Sequence, residues 1–217
     1  IYVTLAKMIV TGTVGIDMLA GPSEILVIAD DTATPEYCAA DLLSQAEHDI
    51  FSSAVLITTS KDIAESTAGF LEKQIKTLSR KDIAKDSINS YGAIFIVPNL
   101  ETAMELANRI APEHLELHID NPFQYIGHIQ NAGAVFMGKY TPEPVGDYIA
   151  GTNHVLPTAG TARFSSALSV DNFIKKTSVV HYSRQAFTKE AKDIIRLADI
   201  EGLDAHAASV SIRLKKK

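Results

Sequence analysis

EILVIAD (Glu24–Asp30) runs almost directly into TPEYCAADLLSQAEH (Thr34–His48), and the fold is read from this pair of segments. The first is a short, unbroken aliphatic run of strand length, the pattern of a strand buried on both faces. The second carries helix-start signals: Thr34 at the N-cap, Pro35 at the first helical position and Glu36 in the first turn. The alternation then repeats. AVLITTS (Ala54–Ser60) reads as a strand, and Lys61–Leu78 as a helix with Ile63, Thr67, Phe70, Leu71 and Ile75 on one face. AIFIVP (Ala93–Pro98) is a third strand, Glu101–Arg109 a helix and AVFMG (Ala134–Gly138) another short strand. Such repetition predicts an α/β fold, a parallel sheet flanked by helices on both faces. From Gly138 to Gly160 the chain is rich in Gly, Pro, Thr and Asn and reads as a long functional loop. Beyond Ser169 the pattern predicts a strand at Ser178–Ser183, then helices at Arg184–Asp199 and Leu203–Leu214. That tail has too few strands to extend the sheet and reads as an arm packed against something else.

The 217 residues, 46% hydrophobic, are enough to bury a substantial core. No apolar run approaches the length of a membrane span. The opening IYVTLAKMIV lacks the features of a secretory signal. It starts without Met in what reads as mid-helix, which points to a piece of a longer protein. A net charge of −6 argues against broad nucleic-acid binding, and the terminal Lys215–Lys217 is a solvated tail. The single Cys38 excludes an intrachain disulfide and a cysteine-rich zinc finger. Among Ala39, Ala40 and Leu42 it reads as a buried thiol rather than a nucleophile. A cytoplasmic location is the default expectation.

Four polar islands interrupt the apolar stretches, each with a histidine close to a carboxylate or carboxamide: SQAEHD (Ser44–Asp49), APEHLEL (Ala111–Leu117), VGDYIAGTNH (Val145–His154) and EGLDAH (Glu201–His206). These side chains suit a nitrogen/oxygen metal site or proton transfer. Gln45 and His48, three residues apart near a helix end, would share a face; alone the pair is a weak signal, and a last-turn His favoured by the helix dipole is the preferred reading. Glu113–His114 follows Pro112, and both serve one site only if the backbone turns there; a surface Glu and a capping His are the alternative. Asp147 and His154 bracket Gly146 and Gly151, glycines that suit either a backbone approached closely by a ligand or a plain turn. Glu201 and His206, five apart, do not share one helix face. Ser23 in AGPSE (Ala20–Glu24) is a candidate cap or ligand contact, and His118 reads as an ordinary strand-surface residue. His128 and His181 receive no role. No GxGxxG fingerprint or P-loop occurs in the chain.

In this order, TVGIDMLAGPSE, DLLSQAEHD, RIAPEHLEL, GDYIAGTNHVLPT, ARFSSALSV and EGLDAHAASV resemble histidinol dehydrogenase over essentially the whole chain. The resemblance implies a Rossmann-like sheet with a helical C-terminal dimerisation arm. It implies oxidation of L-histidinol to L-histidine through histidinal with two NAD, the last steps of histidine biosynthesis. One Zn2+ per subunit would be held by Gln45, His48, Asp147 and His206, ligands without thiolate. Ser23, Glu113, His114, His154 and Glu201 match substrate contacts, with His114 as the base and Glu113 as the activator of water. The resemblance implies a homodimer in which the arm completes the neighbour's site.

Family chains are longer, and the missing N-terminal part carries most of the NAD contacts, so cofactor-binding residues remain unknown here. The expected division is residues 1–25 as the close of the NAD-binding domain, 26–168 as the α/β domain with the zinc and substrate residues, and 169–217 as the arm crossing to the partner. On this reading the fragment alone is an impaired enzyme. A zinc-dependent hydrolase using Glu113 and His114 is the alternative from the residues alone, and a catalytically inactive dimerising fragment is another.

Overall fold

The aliphatic runs pair with one another because each strand is apolar on both faces and finds helices to cover both. A computed structural model describes residues 2–215. It divides into two compact units, Ile1–Ile174 and Lys175–Lys217.

In the first unit, helix α1 (Tyr2–Val10) precedes strand β1 (Glu24–Ala29), helix α2 (Pro35–Ala46) and strand β2 (Ser53–Thr58). Helices α3 (Lys61–Gln74) and α4 (Lys81–Tyr91) lead to β3 (Gly92–Ile96), then α5 (Leu100–Ile110), β4 (His114–His118) and β5 (Ala134–Met137). The five strands form one sheet in the order β3-β2-β1-β4-β5, and every pair is parallel. β1 is central, with Ile25 opposite both Ala54 of β2 and His114 of β4.

Alternation along the strands builds two cores. Ile25, Val27 and Ala29 pack with Leu56 against Cys38 and Leu42 of α2 and Ile63 of α3. On the opposite face, Leu26, Ile28, Ile57, Leu115 and Leu117 pack against Ala103, Met104 and Ala107 of α5. The α/β reading therefore holds, with helices on both sides of a parallel sheet.

Several local expectations change. Thr34 occupies the N-cap of α2 without a side-chain cap bond, whereas Ser60 and Asn99 cap α3 and α5 by accepting from the Ile63 and Thr102 amides. The predicted helix to Leu78 stops at Gln74 and tightens into a 3-10 turn at Ile75–Thr77. Helix α4 was not foreseen; its Ser87 hydroxyl donates to the Ser52 carbonyl and ties it to the start of β2. The predicted loop after Gly138 contains a short helix, α6 (Glu143–Tyr148).

The second unit holds two helices, α7 (Arg184–Ile200) and α8 (Asp204–Leu214), which pack on each other. Ala191, Ala198, Ala207 and Val210 are its buried positions. Gly202, at φ +71°, turns the chain between the helices, a conformation glycine adopts without steric cost. The strand expected at Ser178–Ser183 does not form: no neighbouring strand pairs with this segment, and α7 begins directly after Ser183 as its N-cap. Among the described residues, no helix is long and apolar enough to cross a membrane.

Leu26 is fully buried in the central strand. Leu26→Ala is expected to lower the free energy of unfolding in urea by about 2–5 kcal/mol. A loss under about 1 kcal/mol would contradict its place in the core.

Candidate active site at the amino end of the sheet

Parallel strands share one starting end, and most of the candidate residues gather there. β1 begins at Glu24 and its neighbour β4 at His114. Helix α2 returns antiparallel to β1, so its last turn, with Gln45, comes back to the same end. Ser23 immediately precedes β1, and its carbonyl accepts from the Ser53 amide at 3.0 Å. Open α/β sheets more often bind ligands at the carboxyl ends of their strands; this cluster forms at the opposite end.

The turn required at Glu113–His114 comes from Ala111, which closes α5 in the left-handed region at φ 55°. Pro112 then starts the extended path into β4. Both side chains that follow are held by one peptide segment of β1. The Glu24 N–H donates to Glu113 Oε2 at 3.0 Å, and His114 Nδ1 lies 3.0 Å from the Glu24 carbonyl. A carbonyl only accepts, so Nδ1 carries the proton and Nε2 presents its lone pair. That Nε2 is buried and has no hydrogen-bond partner among the described residues. Burial pulls the His114 imidazole below its ordinary value, keeping it neutral. Burial also pushes Glu113 up to about 7, against the opposing bond from the Glu24 amide.

Helix α6 brings a further pair of carboxyl groups. Glu143 Oε1 stands 3.9 Å from His114 Nε2. One turn later Asp147 Oδ1 meets His154 Nδ1 at 2.7 Å. Burial, then the adjacent Asp147, push Glu143 up to about 8. Burial opposes ionisation of Asp147 too, but bonds from His154 and Glu143 outweigh it and hold Asp147 below its usual range. Close packing fixes α6: a Cβ on Gly146 would lie 2.7 Å from the Phe136 ring of β5. The same ring packs on His114, centroids 5.9 Å apart.

β4 reads His-Leu-Glu-Leu-His, so His114, Glu116 and His118 point to one face and Leu115 and Leu117 to the other. The surface reading of His118 is therefore wrong: it is 2% exposed. Its Nε2 lies 3.3 Å from Asp41 Oδ2 and 3.2 Å from Glu116 Oε2, and its Nδ1 3.5 Å from Cys38 Sγ. Cys38 is buried as expected, and burial pushes its thiol up to about 12, so it stays protonated. Sequence reasoning missed Glu24, Asp41, Glu116 and Glu143. The two-residue period of HLELH and the four-residue spacing of Glu143 and Asp147 were the available signals.

Gln45 is 1% exposed, and neither Oε1 nor Nε2 of its amide has a partner. A buried amide left unpaired is costly, so this group is suited to a ligand. Asp41, one turn earlier, faces Glu116 and His118. Four helical residues rise about 6 Å and two strand residues about 6.6 Å, which carries Gln45 toward the level of His114. His48 lies just past the end of α2, which stops at Ala46, and is exposed, so it does not share a helical face with Gln45. Among the described residues, two groups of His, Cys, Asp or Glu offer ligand atoms within 4.8 Å of one another: His114, Glu143 and Asp147, and Asp41, Glu116 and His118. In the second unit, Glu201 caps the end of α7 and His206 lies in the first turn of α8, both exposed.

Comparison with known proteins places this geometry in a family. The sequence model described as histidinol dehydrogenase matches residues 1–214. A histidinol dehydrogenase of Carboxydothermus hydrogenoformans is 56% identical over 217 residues, covering 100% of this chain and 51% of that protein. One from Geobacter sulfurreducens is 55% identical over 215 residues, covering 99% of this chain and 50% of the relative. The crystal structure of histidinol dehydrogenase from Elizabethkingia anophelis superposes with a TM-score of 0.92 at 45% identity, over 98% of this chain and 49% of that one. The chain spans about half the length of the curated relatives it matches. With a family match over nearly all of its residues, the chain belongs to the histidinol dehydrogenase family.

Proposed function

We propose that the full-length protein carrying this chain oxidises L-histidinol to L-histidine by way of histidinal, with two NAD and one zinc ion per subunit. The observation that carries this reading is His114: the Glu24 carbonyl holds the proton on Nδ1, and Nε2 is left free as a base. Family membership supports the substrate class.

The residues suit the implied metal. Gln45 Oε1 is buried without a partner, and Asp147 is held ionised. Together with His48 they would supply an oxygen/nitrogen set that a divalent cation accepts without thiolate. His206 completes the set, reaching it from the other protomer of a homodimer, and Ser23, His154 and Glu201 contact the substrate. When bound, zinc supplies a Lewis acid that fixes the substrate's nitrogen donors, and NAD takes up the hydride.

His114 Nε2 takes the proton of the alcohol hydroxyl as the carbon loses its hydride. Neutral imidazole is required for this, and burial maintains it. Water then adds to the aldehyde carbonyl, and Glu113 takes a proton from that water. With its value near 7, Glu113 accepts and returns a proton near neutrality. A second hydride transfer gives the carboxylate.

Full-length protein with histidinol is expected to form two NADH per substrate, to lose this activity to a chelator and to regain it with zinc. Metal-independent turnover, or none, would contradict the reading. His114→Asn is expected to lower kcat by about 10²–10⁴-fold; a loss under threefold would remove His114 as the base.

Glu113 also gives a pH signature in metal-free protein. Its folded value, about 7, lies above the ordinary 4.5, so folding favours the protonated form. The stability it contributes is complete below about pH 4.5 and is lost as pH rises through about 7. Glu113→Gln is expected to flatten that decline in urea unfolding between pH 4.5 and 7.5. Parallel curves for the two proteins would contradict the assignment.

A further inference from the structure

Helix α6 is six residues long, too short to hold its own shape. Its N-cap is Pro142, which forms no side-chain cap bond. Yet it carries Glu143 and Asp147, which with His114 offer ligand atoms within 4.8 Å of one another. Besides the packing of Gly146 on Phe136, its start is held by a group three strand residues deep in the sheet: the Glu143 N–H donates to Glu116 Oε1 at 2.7 Å. Glu116 is completely buried on β4, on the same face as His114 and two residues beyond it. Its other oxygen, Oε2, lies 3.2 Å from His118 Nε2, which lies 3.3 Å from Asp41 Oδ2 on α2. Asp41 stands one helical turn before Gln45.

We propose that Glu116 is the positioning residue of the site: by holding the first amide of α6 from the strand that bears His114, it sets Asp147 against His114. Glu116 satisfies one of the amides that a helix start leaves without a partner. It does so from the strand that bears the base, so β4 and α6 share one reference point. The inference rests on the functional reading above, because it takes Asp147 to be a ligand. Partners that orient ligands in this way typically change metal affinity or activity by about 10–100-fold when removed.

The test compares full-length wild type with Glu116→Ala and Glu116→Gln. Zinc affinity is read by competition with a chelator, kcat with histidinol and NAD, and folding by circular dichroism and thermal midpoint. Glutamine retains an oxygen that can accept from the Glu143 amide; alanine does not. Glu116→Ala is expected to lose at least about tenfold in both zinc affinity and kcat, and Glu116→Gln to recover most of that loss. If the alanine variant does not fold, Glu116→Asp, one methylene shorter, takes its place with the same expectation. Folded Glu116→Ala or Glu116→Asp within about twofold of wild type in zinc affinity would overturn the proposal. So would a glutamine variant as impaired as the alanine one, which would make charge, not the accepted amide, the relevant property. Wild-type protein inert toward histidinol would overturn the functional reading instead.

Discussion

Parallel pairing of β4 with β1, in the register that sets Ile25 beside His114, is the constraint from which the site follows. It brings the Glu24 peptide groups to Glu113 and His114, so that main-chain atoms fix one carboxyl and one imidazole tautomer. Side-chain direction alternates along a strand, and a slip of one residue would turn His114, Glu116 and His118 into the apolar layer under α5. It would also lift Leu115 and Leu117 out of their core. The same hydrophobic burial that holds the sheet together thus holds the imidazole in place.

The price of that arrangement is electrostatic. Asp41, Glu113, Glu116 and Glu143 are all buried, and burial raises Asp41 and Glu143 each to about 8. Isolated buried charge is costly, and hydrogen bonds with partial protonation relieve it. Two groups of acceptors result. Around His118 the spacing is short, with its Nε2 3.2 Å from Glu116 and 3.3 Å from Asp41, although neither that Nε2 nor Glu116 Oε2 makes a hydrogen bond among the described residues. Around His114 the acceptors stay open: Nε2 is free, Glu143 is 3.9 Å away, and the Gln45 amide has no partner.

The sheet was legible because each strand was an unbroken aliphatic run and most of the intervening helices carried an amphipathic stripe or a start signal. Helix α4 escaped because its KDIAKDSINSY is polar apart from a sparse Ile83–Ala84–Ile88 stripe. The extended segment around Ser178–Ser183 has strand composition, but pairing partners decide whether a strand forms, and composition does not supply them. In the site, His114 and Asp147 stood out by chemistry and resemblance. Glu116 and Glu143 did not, since a lone Glu in a strand or a proline-rich stretch ordinarily reads as solvent-facing. His118 was misplaced for a related reason: with helices over both faces, β4 has no solvent face to offer.

Anomalous diffraction at the zinc edge, on crystals of the full-length protein grown with zinc, tests the account most directly. It predicts one strong peak per subunit at the amino end of the sheet, about 2.0–2.2 Å from Gln45 Oε1, a His48 nitrogen and an Asp147 oxygen. A peak bound instead among Asp41, Glu116 and His118, or none near Gln45, would contradict it.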